Sequence, residues 1–202
     1  MSPLDNVSGS VTHLLVRALS AKRAGYTLFK GLNFKLMSGD RIQITGANGS
    51  GKTTLLRILL NLAKPHQGRV DWFCHKSERL FLGHKLGLKA DLTLQENLQF
   101  NQQLQGQGSL TKSIAWQHFA VCQHRLLHKL STGQQRRSAL LRLLHQTAKV
   151  WILDEPFTAL DQSGMDFIAS LMSQHSQQGG SIIFTSHQPL PTFLNITQRI
   201  DL

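Results

Sequence analysis

The stretch Gly46-Ala47-Asn48-Gly49-Ser50-Gly51-Lys52-Thr53 constrains this chain more than any other. Two glycines five positions apart, followed by Lys and a hydroxyl residue, make the pattern of a phosphate-binding loop. The segment before it, Arg41-Ile42-Gln43-Ile44-Thr45, reads as a short strand. The segment after it, Thr54 to Leu60, reads as a helix. Strand, glycine loop and helix together give the pattern its structural context. The glycines let the backbone turn tightly and aim successive N–H groups at phosphate oxygens. A helix starting near Lys52 adds free N–H donors and the positive end of its dipole. The Lys52 ammonium would reach the β- and γ-phosphates, and the Thr53 hydroxyl would ligate Mg2+.

A chain of 202 residues is expected to form one domain, with room for a subdomain. No apolar run approaches the roughly 20 residues that a membrane span needs. The richest, Leu55 to Ala63, is interrupted by Arg57 and Asn61. The N-terminal residues Met1 to Asn6 have neither the basic nor the apolar region of a signal peptide. Cys74 and Cys122 lie far apart without ligand spacing and are expected to be reduced thiols. The net charge of +11 invites an anionic partner, but the 22 basic residues are scattered and no aromatic series interleaves them. Nucleic acid is therefore not expected as a partner.

In chain order, Leu14 to Leu19 and Tyr26 through Leu36 read as an antiparallel strand pair, with Phe34 and Leu36 alternating with polar neighbours. Lys64 to Gly68 ends the first helix, and strands follow at Arg69–Phe73 and Arg79–Gly83. Thr93-Leu94-Gln95-Glu96 is a capping box that opens a helix at Leu94. Gln105 to Ser109 is a polar break, and helical pattern resumes from Ile114. A second capping box, Ser131-Thr132-Gly133-Gln134, opens a helix expected to run through Arg142. Lys149 to Leu153 suits a strand buried on both faces of a parallel sheet. Asp161 reads as the N-cap of a helix from Gln162 to Gln177, stopped by Gly179-Gly180. Ser181 to Thr185 is the next buried strand. The expected fold class is α/β: a mostly parallel sheet, an antiparallel β subdomain and a small inserted helical subdomain. The helical part is placed at about 86–146, inside a core formed by about 1–85 and 147–202.

A buried strand that ends in Asp154-Glu155 gains meaning beside a phosphate loop. Asp154 would hold Mg2+ through water, and Glu155 would polarise an attacking water. Without the loop, the same pair would read as an exposed acidic turn.

Leu130-Ser131-Thr132-Gly133-Gln134 resembles the signature sequence of the ABC ATPases, with Thr132 where that family has glycine. Other elements follow in family order. Gly46–Thr53 corresponds to the Walker A loop, with Thr54 beside it, and Val150–Glu155 to Walker B. Ala159-Leu160-Asp161 resembles the D-loop, and His187 the switch histidine. The resemblance spans nearly the whole chain. It implies a P-loop NTPase of the ABC type that takes ATP and Mg2+. It implies a head-to-tail homodimer in the ATP-bound state, where ATP on one Walker A loop is capped by Ser131, Thr132, Gly133 and Gln134 of the other copy. It makes Glu155 and His187 the catalytic pair, with His187 sensing the γ-phosphate, and Thr53 and Asp154 the metal residues.

Two departures accompany the resemblance. The glutamine that the family places between Walker A and the signature is matched by His84, followed by Lys85. The aromatic that stacks on adenine has no aligned equivalent near Arg23. Either Arg23 could stack by its guanidinium plane or Tyr26 could serve, although Tyr26 is expected to pack in the sheet.

More specific strings are Leu82-Gly83-His84, Glu96-Asn97-Leu98, Trp151 through Asp161 and Thr185-Ser186-His187-Gln188-Pro189. With Thr27-Leu28-Phe29 they are similar to the ATP-binding subunits of bacterial haem exporters for cytochrome c maturation. That implies a peripheral protein on the cytoplasmic side of the cell inner membrane. Its partners would be a membrane subunit of the CcmB kind, in a complex that includes CcmC. An exporter motor for another substrate shares the same chemistry. A soluble ABC ATPase acting on ribosomes or DNA fits less well, because the chain has neither two cassettes nor a long coiled coil.

Overall fold

Two sheets divide the strands, and one helix lies between them. The computed structural model describes residues 11–83, 87–104, 123–145 and 148–202. The polar break at 105–109 and the helical pattern from Ile114 fall outside these residues. So do His84 and Lys85.

Strands β1 (Thr12–Arg23), β2 (Tyr26–Met37) and β4 (Gln67–Trp72) form an antiparallel sheet in the order β2-β1-β4. β1 is longer than its hydrophobic pattern suggests, because bulges reset its register between Val16 and Leu19 and again near Ala21. Ala18 sits at φ 48° within the first of these. The resets keep Leu14, Val16, Leu19 and Ala21 all buried.

Strands β3 (Arg41–Thr45), β5 (Arg79–Leu82), β6 (Val150–Leu153), β7 (Ser181–Thr185) and β8 (Gln198–Asp201) form a second sheet. Its order is β5-β6-β7-β3-β8, and every pairing is parallel. The chain leaves β3, crosses to the far edge and works back, so β3 lies between two strands from later in sequence. Ligands of open parallel sheets bind at the carboxyl ends of strands beside such a crossover. β8 has no forerunner in the sequence reading. It is a short polar edge strand whose one buried residue, Ile200, gives no alternation to detect.

Helix α1 (Lys52–Leu59) begins two residues earlier than its apolar pattern, directly on Gly51 at φ 108°. It fills the space between the sheets. Leu55, Leu56, Ile58 and Leu59 join Leu14, Val16 and Leu36 from one side and Ile42, Ile44, Val150, Ile152 and Ile183 from the other. At its end, the Trp72 indole N–H donates to the Leu59 carbonyl at 2.7 Å, satisfying a group the helix leaves free.

The opposite face of the parallel sheet carries Trp151, Leu153, Ile182 and Phe184. Helix α4 (Gln162–Gln177) covers them with Ile168, Ala169 and Met172. Its cap is the expected one: Asp161 Oδ1 accepts from the Gly164 N–H at 2.9 Å. Helix α2 (Leu94–Leu104) starts at the Thr93–Glu96 box, whose reciprocal bonds are both formed. Helix α3 (Thr132–Leu140) starts at the Ser131–Gln134 box. It was expected to run through Arg142, but after Leu140 it tightens into a 3-10 turn, Leu141–His145. The turn lets Leu141 meet Leu94 and Leu98 while Leu143 packs with Leu80 and Trp151. Among the described residues Cys74 is a free thiol, and Cys122 lies outside them.

His175 of α4 stacks on Trp151, with ring centroids 3.9 Å apart and planes 7° from parallel. Its ring lies against Gly180 with no room for a Cβ on that glycine. Burial lowers its pKa from 6.5 to about 4. The unfolded chain therefore takes up a proton that the folded one refuses once the pH drops below 6.5. This contribution is complete above pH 6.5 and is lost as the pH falls toward 4. The loss is on the order of 2 kcal/mol after allowance for partial exposure. Urea unfolding at pH 7 and pH 4.5 should show a smaller drop in His175→Phe than in the parent chain. An equal drop would assign the acid sensitivity to other groups, the buried His13 first among them.

Candidate functional site

The carboxyl ends of β3, β6 and β7 come together, and each delivers polar residues to one cleft of about 420 Å³. From the loop after β3 come Asn48, Gly49 and Gly51, and from the start of α1 come Lys52, Thr53 and Thr54. Asp154, Glu155 and Thr158 come from the turn after β6. His187 comes from the turn after β7, and Arg23 and Leu28 wall the cleft from the antiparallel sheet.

The loop geometry follows from its glycines. Gly46, Gly49 and Gly51 have φ of 137°, 85° and 108°, a region that side chains with a Cβ disfavour. A Cβ on Gly46 would also sit 2.6 Å from the Leu202 carbonyl oxygen and 2.7 Å from Ser50 Oγ. Ala47 continues this turn, its carbonyl accepting from the Ser50 N–H at 3.2 Å. Ser50 Oγ is buried and has no partner among the described residues, so a polar atom faces inward at the loop. Lys52 is only 9% exposed. Its ammonium donates to the carbonyls of Gly46 at 2.7 Å and Ala47 at 2.9 Å, which holds the charge along the loop.

Opposite the loop stand two carboxylates with different surroundings. Asp154 is buried and accepts from Thr53 Oγ1 at 3.1 Å and from Thr185 Oγ1 at 2.8 Å. Thr53 Oγ1 and Asp154 Oδ2 are hard oxygen donors. Mg2+ takes one or two such ligands beside phosphate and water, so the pair fits that ion. Glu155 points at His187, whose Nδ1 lies 3.0 Å from Oε1. A carboxylate beside an imidazole at a cleft mouth can polarise a water and receive its proton.

Ser131, Thr132, Gly133 and Gln134 do not line this cleft. They form the start of α3, where Ser131 Oγ accepts from the Gln134 N–H at 3.2 Å and Gln134 Oε1 accepts from the Ser131 N–H at 3.0 Å. Gly133 lies so near Ala159 that a Cβ would be 2.9 Å from that carbonyl oxygen. Arg137 pairs with Asp161 at 2.7 Å. The N–H of Gly164 and the Arg137 guanidinium hold the Asp161 carboxyl below its ordinary range. The cleft and the α3 terminus are thus separate surfaces of one chain.

Of the two adenine candidates, Arg23 lines the cleft and Tyr26 does not. The expectation that Tyr26 packs in the sheet is wrong: it belongs to β2 but is 78% exposed. It pairs with Arg23 at the hairpin, where no described element covers it. His84 lies outside the described residues. Thr185 and Arg136, described below, were missed. Each sits inside an element that reads as structural: Thr185 gains its side-chain partners from the turn after β6, and Arg136 gains its own from the ends of β5 and β6.

The fold and the cleft define a P-loop nucleotide-binding cassette. Residues 29–158 match the family model described as ABC transporter. The Cytochrome c biogenesis ATP-binding export protein CcmA of Escherichia coli strain K12 is 42% identical over 198 residues, covering 94% of this chain and 96% of that protein. The CcmA of Shigella flexneri matches to the same extent. Among solved structures, a putative ABC transporter ATP-binding protein from Pyrococcus furiosus superposes with a TM-score of 0.78 at 22% identity, over 94% of this chain and 96% of its own. The ATP-binding cassette MJ0796, a dimer bound to ADP and Pi, gives 0.71 at 22% identity, over 87% and 88% of the two chains. The chain belongs to the ABC transporter family, among its cytochrome c biogenesis ATP-binding export proteins.

Proposed function

We propose that this chain is the ATP-hydrolysing subunit of the exporter that serves cytochrome c maturation, coupling ATP hydrolysis to haem delivery or release. The observation that carries this reading is the 42% identity to CcmA across 94% of the chain. The convergence of Lys52, Thr53, Asp154, Glu155 and His187 on one cleft supports it.

In this reading the N–H groups of Gly46–Thr53 and the first turn of α1 cradle the phosphates, with Thr54 adding a donor. Lys52 exchanges its loop carbonyls for the β- and γ-phosphate oxygens. Thr53 and Asp154 would hold Mg2+, which would supply positive charge against the phosphates. Glu155 orients the attacking water and accepts its proton, and His187, beside it, reads the γ-phosphate. Arg23 lies against the base. Because Ser131, Thr132, Gly133 and Gln134 lie outside the cleft, one chain holds only half of a closed site. A second copy, related head to tail, brings its α3 terminus over the nucleotide, and Asp161 lies beside that junction. In this reading about 86–146 is the helical subdomain on a core of about 1–85 and 147–202. Among the described residues no helix is long and apolar enough to cross a membrane. A membrane subunit resembling CcmB, with CcmC in the complex, holds the chain on the cytoplasmic face of the inner membrane.

Deleting the chain should abolish holo-cytochrome c while apo-cytochrome is still secreted, and the chain should purify from membranes with a CcmB-like subunit. Normal holo-cytochrome in the deletion strain contradicts the haem assignment and leaves an exporter motor for another substrate.

A further inference from the structure

Arg136, on the second turn of α3, is a cation only 8% exposed. Its Nη2 donates to the backbone carbonyls of Asp154 at 2.6 Å and Glu155 at 2.5 Å. Its Nη1 donates to the Gly83 carbonyl at 3.2 Å. These carbonyls lie just past the ends of β5 and β6, so one guanidinium ties two strand ends to the helix. Burial lowers its pKa and the charges of Asp154 and Glu155 oppose that shift. A guanidinium stays charged in such a site.

Glu155 has φ 53°, a left-handed conformation that a residue with a Cβ disfavours. Its backbone is held at both ends. The N–H donates to Thr185 Oγ1 at 2.8 Å, and the carbonyl accepts from Arg136. Thr185 Oγ1 in turn donates to Asp154 Oδ1. The two clamps differ in where they come from. Thr185 belongs to the sheet, whereas Arg136 belongs to the helix whose first turn carries Ser131–Gln134.

We infer that Arg136 is a positioning residue that makes hydrolysis in one ATP site depend on closure of the other. The inference rests on the reading that α3 caps the nucleotide held by a second copy. A helix is stiff over its first two turns. A shift of its N-terminus onto the partner's nucleotide therefore moves the guanidinium four residues beyond Thr132. That movement sets the Glu155 peptide, and with it the carboxylate facing this chain's own nucleotide. The same movement also shifts the Gly83 carbonyl at the end of β5.

The test is steady-state ATPase of the complex purified with its membrane partner, for the parent, Arg136→Lys, Arg136→Gln and Thr185→Val. Lysine keeps the charge but has no planar fork to span two carbonyls. Both Arg136 variants should lose tenfold or more in kcat with KM for ATP within about twofold of the parent. Their Hill coefficient should fall from near two toward one. Thr185→Val should lose kcat comparably yet keep the parental Hill coefficient, because its clamp is not on the signature helix. Parental kcat and cooperativity in Arg136→Lys overturn the inference. So does a kcat loss that only tracks the folded fraction seen by thermal melting, with cooperativity unchanged. An inactive parent complex defeats the ATPase reading and the inference together, whereas an active parent with unaltered Arg136 variants defeats the inference alone.

Discussion

Glu155→Gln stops ATP turnover while leaving nucleotide binding intact. The substitution keeps the side chain's size and its place beside His187, 3.0 Å away, and removes the oxygen able to take a proton. Positioned general bases contribute about 10²–10⁴-fold, so kcat should fall at least a hundredfold. In this account the phosphate contacts come from Gly46–Thr53, which the substitution leaves untouched. Affinity for ATP, read by equilibrium binding of a fluorescent analogue, should stay within about twofold. Because hydrolysis is what parts the two copies in this account, the variant should accumulate as a dimer with ATP. Hydrolysis at the parental rate assigns the base elsewhere, and among the described residues Asp154 is then the remaining carboxylate in the cleft.

Lys52→Ala produces the opposite split. The Lys52 ammonium is buried and donates to two carbonyls of its own loop, at 2.7 and 2.9 Å, a charge that in this account passes to phosphate. Hydrogen bonds to charged groups are worth about 1.5–3 kcal/mol, which corresponds to roughly 10- to 100-fold in Kd. The variant should lose that much affinity for ATP and less for adenosine, which has no phosphate to meet the ammonium. The fold should survive, since the apolar face of α1 is unchanged and the glycines set the loop. A variant that binds ATP and adenosine in the parental ratio would show that Lys52 does not reach the phosphates. Comparing both variants under one binding assay separates affinity from chemistry.

The parts of the site that can be read along the chain are those whose chemistry is local. The glycine loop needs its φ values wherever it occurs, so Gly46, Gly49 and Gly51 are legible as letters. Capping boxes are also local, and Thr93–Glu96, Ser131–Gln134 and Asp161 all cap as expected. β6 and β7 are legible because strands buried on both faces are apolar throughout. What was not legible depends on which strand lies next to which. Thr185 ends an apolar strand and reads as an ordinary β residue until β6 is placed beside β7. Arg136 reads as one more surface cation in a helix, since nothing in Gln135-Arg136-Arg137 says which arginine turns inward. Arg137 pairs at the surface with Asp161, and Arg136 is buried behind Glu155. Tyr26 shows the same reason in reverse: its strand is real, but among the described residues no layer covers its end of the hairpin.

One measurement bears most directly on the idea that two copies complete each other's site. Glu155→Gln, incubated with ATP and Mg2+, is passed over a sizing column with light-scattering detection, and the nucleotide in the peak is counted. A particle of twice the chain mass holding two ATP, reverting to monomers when Ser131→Arg blocks the α3 terminus, is the predicted result. A monomer that retains one ATP, unaffected by Ser131→Arg, would contradict it.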